Sequence, residues 1–304
     1  MMQTRRAMQS FIFFLFGLLA KLPLPLLHAI GNLAGNLAFY LAKGERKRIA
    51  DNLCTAGLPH DDAMVKSVLR ETAKGGLELP VAFFREPEEV AGLFCEVHGW
   101  EHVESALAAC EGLLLITPHI GSYDLAGRYI SEQLPFPLTA MYKPPKISAF
   151  DVDAVMQAGR VRGKGKTAPT NMQGVKQIIK ALRSGEATIV LPDHVPDPHE
   201  GDGVWAKFFG RDAYTMTLAG KLAQVKGVKA LFFCGERLPE GKGFVLHIEP
   251  LHGELSGDKV HDAQLVNDNV EYWVKRFPSQ YLFAYNRYKH PAGAPPAPFS
   301  AKHG

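Results

Sequence analysis

Three things are scarce in this 304-residue chain, and each scarcity removes a class of protein. Cysteine comes first: Cys54, Cys95, Cys110 and Cys234 are scattered with no C-x-x-C pair, which argues against a zinc ribbon or a disulfide framework and reads as reduced thiols facing the cytosol. Charge imbalance is also slight. Thirty-four Lys and Arg against 31 Asp and Glu give a formal net charge of +3, too little for a nucleic-acid binder with a strongly basic face. Long apolar runs are the third absence: the clean run from Phe11 to Ala20 is about half of the ~20 residues that a helical membrane span needs, and Lys21, Pro23 and Pro25 follow it. Hydrophobic residues at 46% and charged residues at 21% exclude a disordered chain and suffice for one large α/β domain or two small ones.

What is present at the N-terminus is an apolar segment behind Arg5 and Arg6. As a cleaved signal peptide it has a poor small-x-small site, because Leu18 and Ala20 occupy the region. As a soluble core helix it lacks a polar face over Phe11 to Phe16. Two anchoring geometries stay open: a span in which Lys21 snorkels and Leu22 to Ile30 continue the apolar path, or an interfacial segment beside Leu33 to Ala42. Residues 1–43 are therefore read as a membrane anchor, with the arginines favouring a cytoplasmic N-terminus.

Beyond it, Glu45 to Leu53 and Asp61 to Phe84 read as helices, the second with Asp61 as N-cap. From Val97 onward, apolar strand-like runs at 112–117, 187–191, 228–233 and 243–248 alternate with helical stretches at 124–134, 172–183 and 217–226. That alternation predicts an α/β fold, a central mostly parallel or mixed sheet flanked by helices, over residues 44–289. Residues 290–304, rich in Pro, Ala and Gly, are expected to be a loose tail.

Chemistry concentrates just past the first of these strands. In Ile116-Thr-Pro-His-Ile-Gly-Ser-Tyr-Asp-Leu125, His119 follows the strand and Asp124 opens the next helix, with Gly121 allowing the sharp turn between them. At this spacing the Asp124 carboxylate is expected to accept the imidazole Nδ1–H, leaving the other nitrogen to take a proton from an attacking hydroxyl. No serine or cysteine nucleophile is required, since the acceptor's own oxygen attacks. Taken alone, the pair also fits a loop histidine beside a residue that favours a helix dipole.

The pattern does not stand alone. His119-x-x-x-x-Asp124 resembles the signature of lysophospholipid-type acyltransferases, and in particular of the lipid A biosynthesis acyltransferases. Further segments resemble that family in the right order: Met141-Tyr-Lys-Pro144, Gly159-Arg-Val-Arg162, Ser184-Gly-Glu through Leu191-Pro-Asp193, Phe208-Phe-Gly210, and Phe277-Pro-Ser-Gln-Tyr-Leu282 with Asn286-Arg-Tyr-Lys289. The resemblance implies a membrane-anchored O-acyltransferase at the cytoplasmic face of the inner membrane. Acyl carrier protein would be the thioester donor, a lipid A precursor the acceptor, and no cofactor or nucleic acid would be involved. It implies His119 and Asp124 as the catalytic dyad and Arg160 with Arg162 as a basic motif near the polar end of the substrate; Lys143 and Asp193 are further substrate-binding candidates, Asp193 being equally suited to a structural role that ties its loop to the active-site wall. The chain departs from the family's best-known members at Asp124, where glutamate is frequent, and at His194, where glutamine is frequent. Glycerophospholipid or other glycolipid acceptors are the neighbouring readings.

Two loops carry rival functions. Between 143 and 166, Lys143, Lys146, Arg160, Arg162, Lys164 and Lys166 oppose only Asp151 and Asp153. This suits a phosphorylated acceptor, a phosphopantetheine arm or an acidic carrier protein, and it also suits a solvated loop near anionic headgroups, as in a non-catalytic membrane adaptor. The stretch Asp193-His-Val-Pro-Asp-Pro-His199 together with His119 invites a metal-dependent hydrolase, against which stand the stiff prolines and the missing zinc-motif spacing. No metal is expected.

Overall fold

The computed structural model describes residues 2–142, 157–159, 161, 163–199 and 201–298. Two apolar helices open it, α1 (Met2–Ala20) and α2 (Leu24–Leu41), separated where Lys21 and Pro23 interrupt the helical bonding. The apolar path expected to continue through Leu22 is thus bent. Arg85 holds the bend, donating from Nε to Ala20 O and from Nη2 to Leu22 O at 2.7 Å each. Helix α3 (Lys43–Thr55) follows, then α4 (Asp62–Phe84), whose expected N-cap is in place, with Asp61 Oδ1 accepting from Met64 N at 2.8 Å.

The α/β expectation holds. Strands β1 (Phe94–His98), β2 (Gly112–Ile116), β3 (Leu138–Tyr142), β4 (Gly165–Pro169), β5 (Ala187–Val190), β8 (Val228–Arg237) and β9 (Phe244–Pro250) form a seven-stranded sheet in the order β1-β9-β8-β2-β5-β3-β4. Neighbours pair in parallel except β8 with β9. A separate antiparallel hairpin joins β6 (Gly203–Phe208) to β7 (Arg211–Met216). Short α5 (Pro87–Ala91) precedes the sheet, and α6 (Trp100–Ala108), α7 (Tyr123–Gln133), α8 (Met172–Arg183), α9 (Leu218–Ala223) and α10 (Lys259–Arg276) cover its faces.

The buried strand β2 shows why the sheet needs helices on both sides. Its side chains alternate faces, so Leu114 and Ile116 pack with Ile178, Leu182 and Trp273, while Leu113 and Leu115 pack with Val103 and Ile130. All four leucine and isoleucine side chains are fully buried, worth roughly 1.5–3 kcal/mol apiece relative to exposure. Because β2 and β5 are parallel neighbours, their carboxyl ends reach the same edge of the sheet, in register from Leu113 opposite Ala187 to Ile116 opposite Val190. That edge carries the chemistry.

Residues 290–298 lie beside the hairpin, where Trp205 Nε1 donates to Pro295 O at 2.8 Å.

Candidate active site

The turn from Thr117 to Ser122 leaves β2 and enters α7. Gly121 makes it possible: its φ is +58°, and a Cβ there would lie 2.0 Å from Gly235 O on β8. Neighbouring backbone groups fasten the turn on two sides. Ser122 N donates to Gly235 O, Gly121 N to Gln280 O, and Leu282 N to His119 O, at 2.8 to 3.0 Å. His119 is therefore presented by a backbone that has little freedom to shift.

The partner of its ring comes from the next strand. Asp193, three residues past β5, accepts the His119 backbone N–H on Oδ2 at 2.9 Å and pairs with Nδ1 through Oδ1 at 2.8 Å. This corrects the expectation that Asp124 accepts the Nδ1–H. Sequence spacing brings Asp124 near His119, but the parallel pairing of β2 with β5 brings Asp193 closer to that nitrogen. Burial by itself would raise the Asp193 pKa, yet the charge and hydrogen bonds of His119, with the charge of His194, bring it down to about 2. The buried carboxylate is thus ionised at neutral pH.

His194 stacks on His119 with ring centroids 4.0 Å apart and an interplanar angle of 11°, and Tyr285 stacks on the far side of His194 at 4.3 Å. Desolvation first, and then the adjacent His119, lower the His194 pKa to about 4, so this ring is neutral near pH 7. Tyr123 meets His119 edge-on at 5.0 Å. With Nδ1 engaged by Asp193, Nε2 is the nitrogen left to face a ligand.

Two recesses open here. One, with about 640 Å³ of open space, runs between α4 and the turn and is lined by Glu71, Gly75, Glu78, His119, Ser122 and Gln280 among others. The other, of about 700 Å³, is walled by Phe83, Leu138, Ala140, Met141, Ile189 and Leu191, with Lys166 on its edge. Tyr123 and Asp124 line both. His119, Asp124 and Asp193 are thus gathered at one place, whereas Lys143, Arg160 and Arg162 lie outside the described residues. Lys164 is engaged elsewhere, donating to the Glu132 and Leu134 carbonyls.

The Asp193 to His199 loop does not gather ligands: among the described residues no group of three or more His, Cys, Asp or Glu is placed to hold a metal. Asp197 instead accepts the His199 backbone N–H at 3.0 Å.

Behind the turn lies a cluster that sequence reasoning missed. Arg237, at the end of β8, donates to both oxygens of Glu78, to Glu71 Oε2, and to Gly121 O at 3.2 Å, while His28 of α2 pairs with Glu78 Oε1 at 2.7 Å. Burial opposes the charge on Glu78, but Arg237 overcomes it and holds the pKa at about 2. The readable signal was Glu78 itself, a charge between Leu77 and Leu79 in an apolar stretch. Nothing in the sequence pointed to Arg237.

Comparisons with known proteins identify the family. The family model of the bacterial lipid A biosynthesis acyltransferases matches residues 1–290. The chain belongs to that family. The lipid A biosynthesis lauroyltransferase of Escherichia coli K12 is 28% identical over 91% of this chain and 90% of its own length. The lipid A biosynthesis palmitoleoyltransferase of the same strain is 27% identical over 88% of this chain and 87% of its own. A lipid A biosynthesis acyltransferase of Haemophilus influenzae is 30% identical over 62% of this chain and 57% of its own. The matched span of the family model takes in the two N-terminal helices as well as every strand among the described residues, so the chain is an acyltransferase whose relatedness includes α1 and α2.

Proposed function

We propose that the protein transfers a fatty acyl group from an acyl-carrier-protein thioester to a hydroxyl of a lipid A precursor, at the cytoplasmic face of the inner membrane. The observation that carries this reading is the His119–Asp193 pair beside two recesses that share Tyr123 and Asp124 as a common wall. A fatty chain suits the walls of Phe83, Leu138, Met141 and Ile189; the hydroxyls of a sugar suit the recess beside α4, which carries Thr72, Ser122, Asp124 and Gln280.

In the proposed mechanism, His119 Nε2 removes the proton of the acceptor hydroxyl as its oxygen attacks the thioester carbonyl carbon. Asp193 keeps the Nδ1–H tautomer and stabilises the imidazolium. Asp124, common to both recesses, positions the acceptor hydroxyl against Nε2. Negative charge then develops on the carbonyl oxygen, and the positive end of α7, which starts at Tyr123 on the same wall, favours it. Collapse of the intermediate forms the new ester, breaks the carbon–sulfur bond and returns the imidazolium proton to the departing thiolate. Lys143, Arg160 and Arg162 are assigned to phosphate or phosphopantetheine oxygens, to which a guanidinium fork donates paired hydrogen bonds that an ammonium does not reproduce.

The test is reconstitution with an acyl-carrier-protein thioester and an under-acylated lipid A precursor, followed by mass spectrometry. One added acyl chain, absent with His119→Ala, is the expected result; a coenzyme A thioester used equally well would overturn the donor assignment. Arg160→Lys is expected to impair the use of one substrate even at high salt, and unchanged constants for both would remove Arg160 from the site.

A further inference from the structure

Helix α2 is 18 residues long and is apolar enough to cross a membrane by length and composition. It also contains no Asp, Glu, Lys or Arg. Its packing argues against crossing. Leu24, Leu27, His28, Gly31, Gly35 and Phe39 are buried, and α4 lies against this face. The approach is close enough that a Cβ on Gly31 would meet the Lys74 side chain at 2.8 Å, and one on Gly35 would meet the Arg70 backbone at 2.4 Å. Polar bonds cross the same seam: His28 to Glu78 at 2.7 Å, and Arg70 Nε donating to Asn36 Oδ1 at 2.7 Å. A spanning α2 would either take the charged helix α4 into hydrocarbon or strip Glu78 and Arg70 of these partners, and both are costly.

The opposite face is apolar and open. Leu26, Ile30, Leu33, Leu37, Tyr40 and Leu41 are exposed, at three- and four-residue steps that put them on one side of the helix, with Leu33 at 70% and Leu41 at 72%. Phe11, Phe14, Leu15 and Leu18 of α1 are exposed as well. Immediately beyond α2, positive charge accumulates: Lys43, Arg46, Lys47 and Arg48 are all exposed, and Lys66 of α4 lies over the Phe39 and Tyr40 rings. An apolar stripe edged by cations is complementary to one surface, a bilayer with anionic headgroups.

We propose that α2 lies flat in the interface of an anionic lipid bilayer, its Leu26 to Leu41 stripe in the acyl boundary and its other face fixed on α4, and that it does not cross the membrane. The inference concerns the pose of α2 and does not depend on the acyl-transfer reading.

The experiment uses the full chain with Cys54→Ser, Cys95→Ser and Cys110→Ser. Single Leu26→Cys, Leu33→Cys and Leu41→Cys variants carry an environment-sensitive fluorophore on vesicles of phosphatidylethanolamine and phosphatidylglycerol. Quenching by lipids spin-labelled near the headgroup or near the chain end reports depth. All three sites are expected at one shallow depth. Deeper quenching at Leu33 than at both Leu26 and Leu41 would mean a spanning helix and overturn the proposal, as would absence of quenching at all three. The cationic edge is tested separately: Lys43→Gln with Arg46→Gln and Lys47→Gln is expected to weaken vesicle binding by about tenfold or more in low salt. Unchanged binding there would remove the anionic surface as the partner.

Discussion

Two histidine–carboxylate pairs, one buried and one part-buried, flank the same turn, and they behave differently because of what surrounds them. His28 pairs with Glu78 at 2.7 Å, and His119 pairs with Asp193 at 2.8 Å. Both carboxylates are held at a pKa of about 2 by the groups they pair with, against the effect of burial. The His28 ring is closed in, with its Nδ1 buried and unpartnered, and Glu78 is shared with Arg237. His119 instead lines an open recess next to Asp124 and Tyr123. A pair of this kind acquires chemistry only when its second nitrogen meets a ligand; otherwise it holds elements together.

The largest expected separation between the pairs is in turnover. His119→Ala is expected to lower kcat by about 10²- to 10⁴-fold while the fold and vesicle binding persist. His28→Gln is expected to leave kcat within a few-fold. Steady-state kinetics on the two purified variants, with circular dichroism to check folding, would break the comparison if both fell alike.

Next comes the choice between carboxylates. Asp193→Asn, which removes the acceptor of Nδ1–H, is expected to cost about 10²-fold or more in kcat. Asp124→Asn is expected to lower kcat by less and to raise the KM for the acceptor. A larger fall in kcat for Asp124→Asn than for Asp193→Asn would return the orienting role to Asp124.

Stability should rank the pairs the other way. Glu78→Gln leaves Arg237 with Glu71 alone in a buried place and is expected to cost about 3 kcal/mol, read by denaturant unfolding. A cost below that of Asp193→Asn would contradict the structural role assigned to the first pair.

The smallest effect is a pH slope. His194 has a folded pKa of about 4 against an ordinary 6.5, so the unfolded chain binds its proton first as pH falls. Its neutral burial is fully compatible with folding above pH 6.5 and costs stability progressively from 6.5 to 4, up to about 3 kcal/mol. Asp193 follows in a lower window, its contribution present above its ordinary 3.8 and lost as pH falls through about 2. His194→Gln is expected to flatten the fall in melting temperature between pH 6.5 and 4.5; an unchanged slope would mean the stacked rings do not govern it.

Much of this was legible before any coordinates. Helix 172–183 follows from its apolar spacing and appears with those bounds, and the Asp61 cap announces α4. Strands β2, β5, β8 and β9 show as apolar runs because they are buried on both faces or against a partner. Strand β1 was not singled out, since several of its residues are exposed and it carries no such run; the amphipathic α10 was also not singled out. In the site, His119 and Asp124 were read from their spacing and from the family resemblance, and Asp193 as a substrate-binding residue or a structural tie of its loop to the active-site wall, not as the partner of His119.

The sequence by itself determined the elements, the apolar N-terminus and the placement of His119 at the end of a strand, because each rests on residues near one another in the chain. Only the tertiary structure decided that Asp193, 74 residues away, takes Nδ1, and that α2 is bound along α4. Both depend on which strands and helices become neighbours, and hydrogen bonds of 2.7 to 2.8 Å are set by that adjacency and not by distance along the chain.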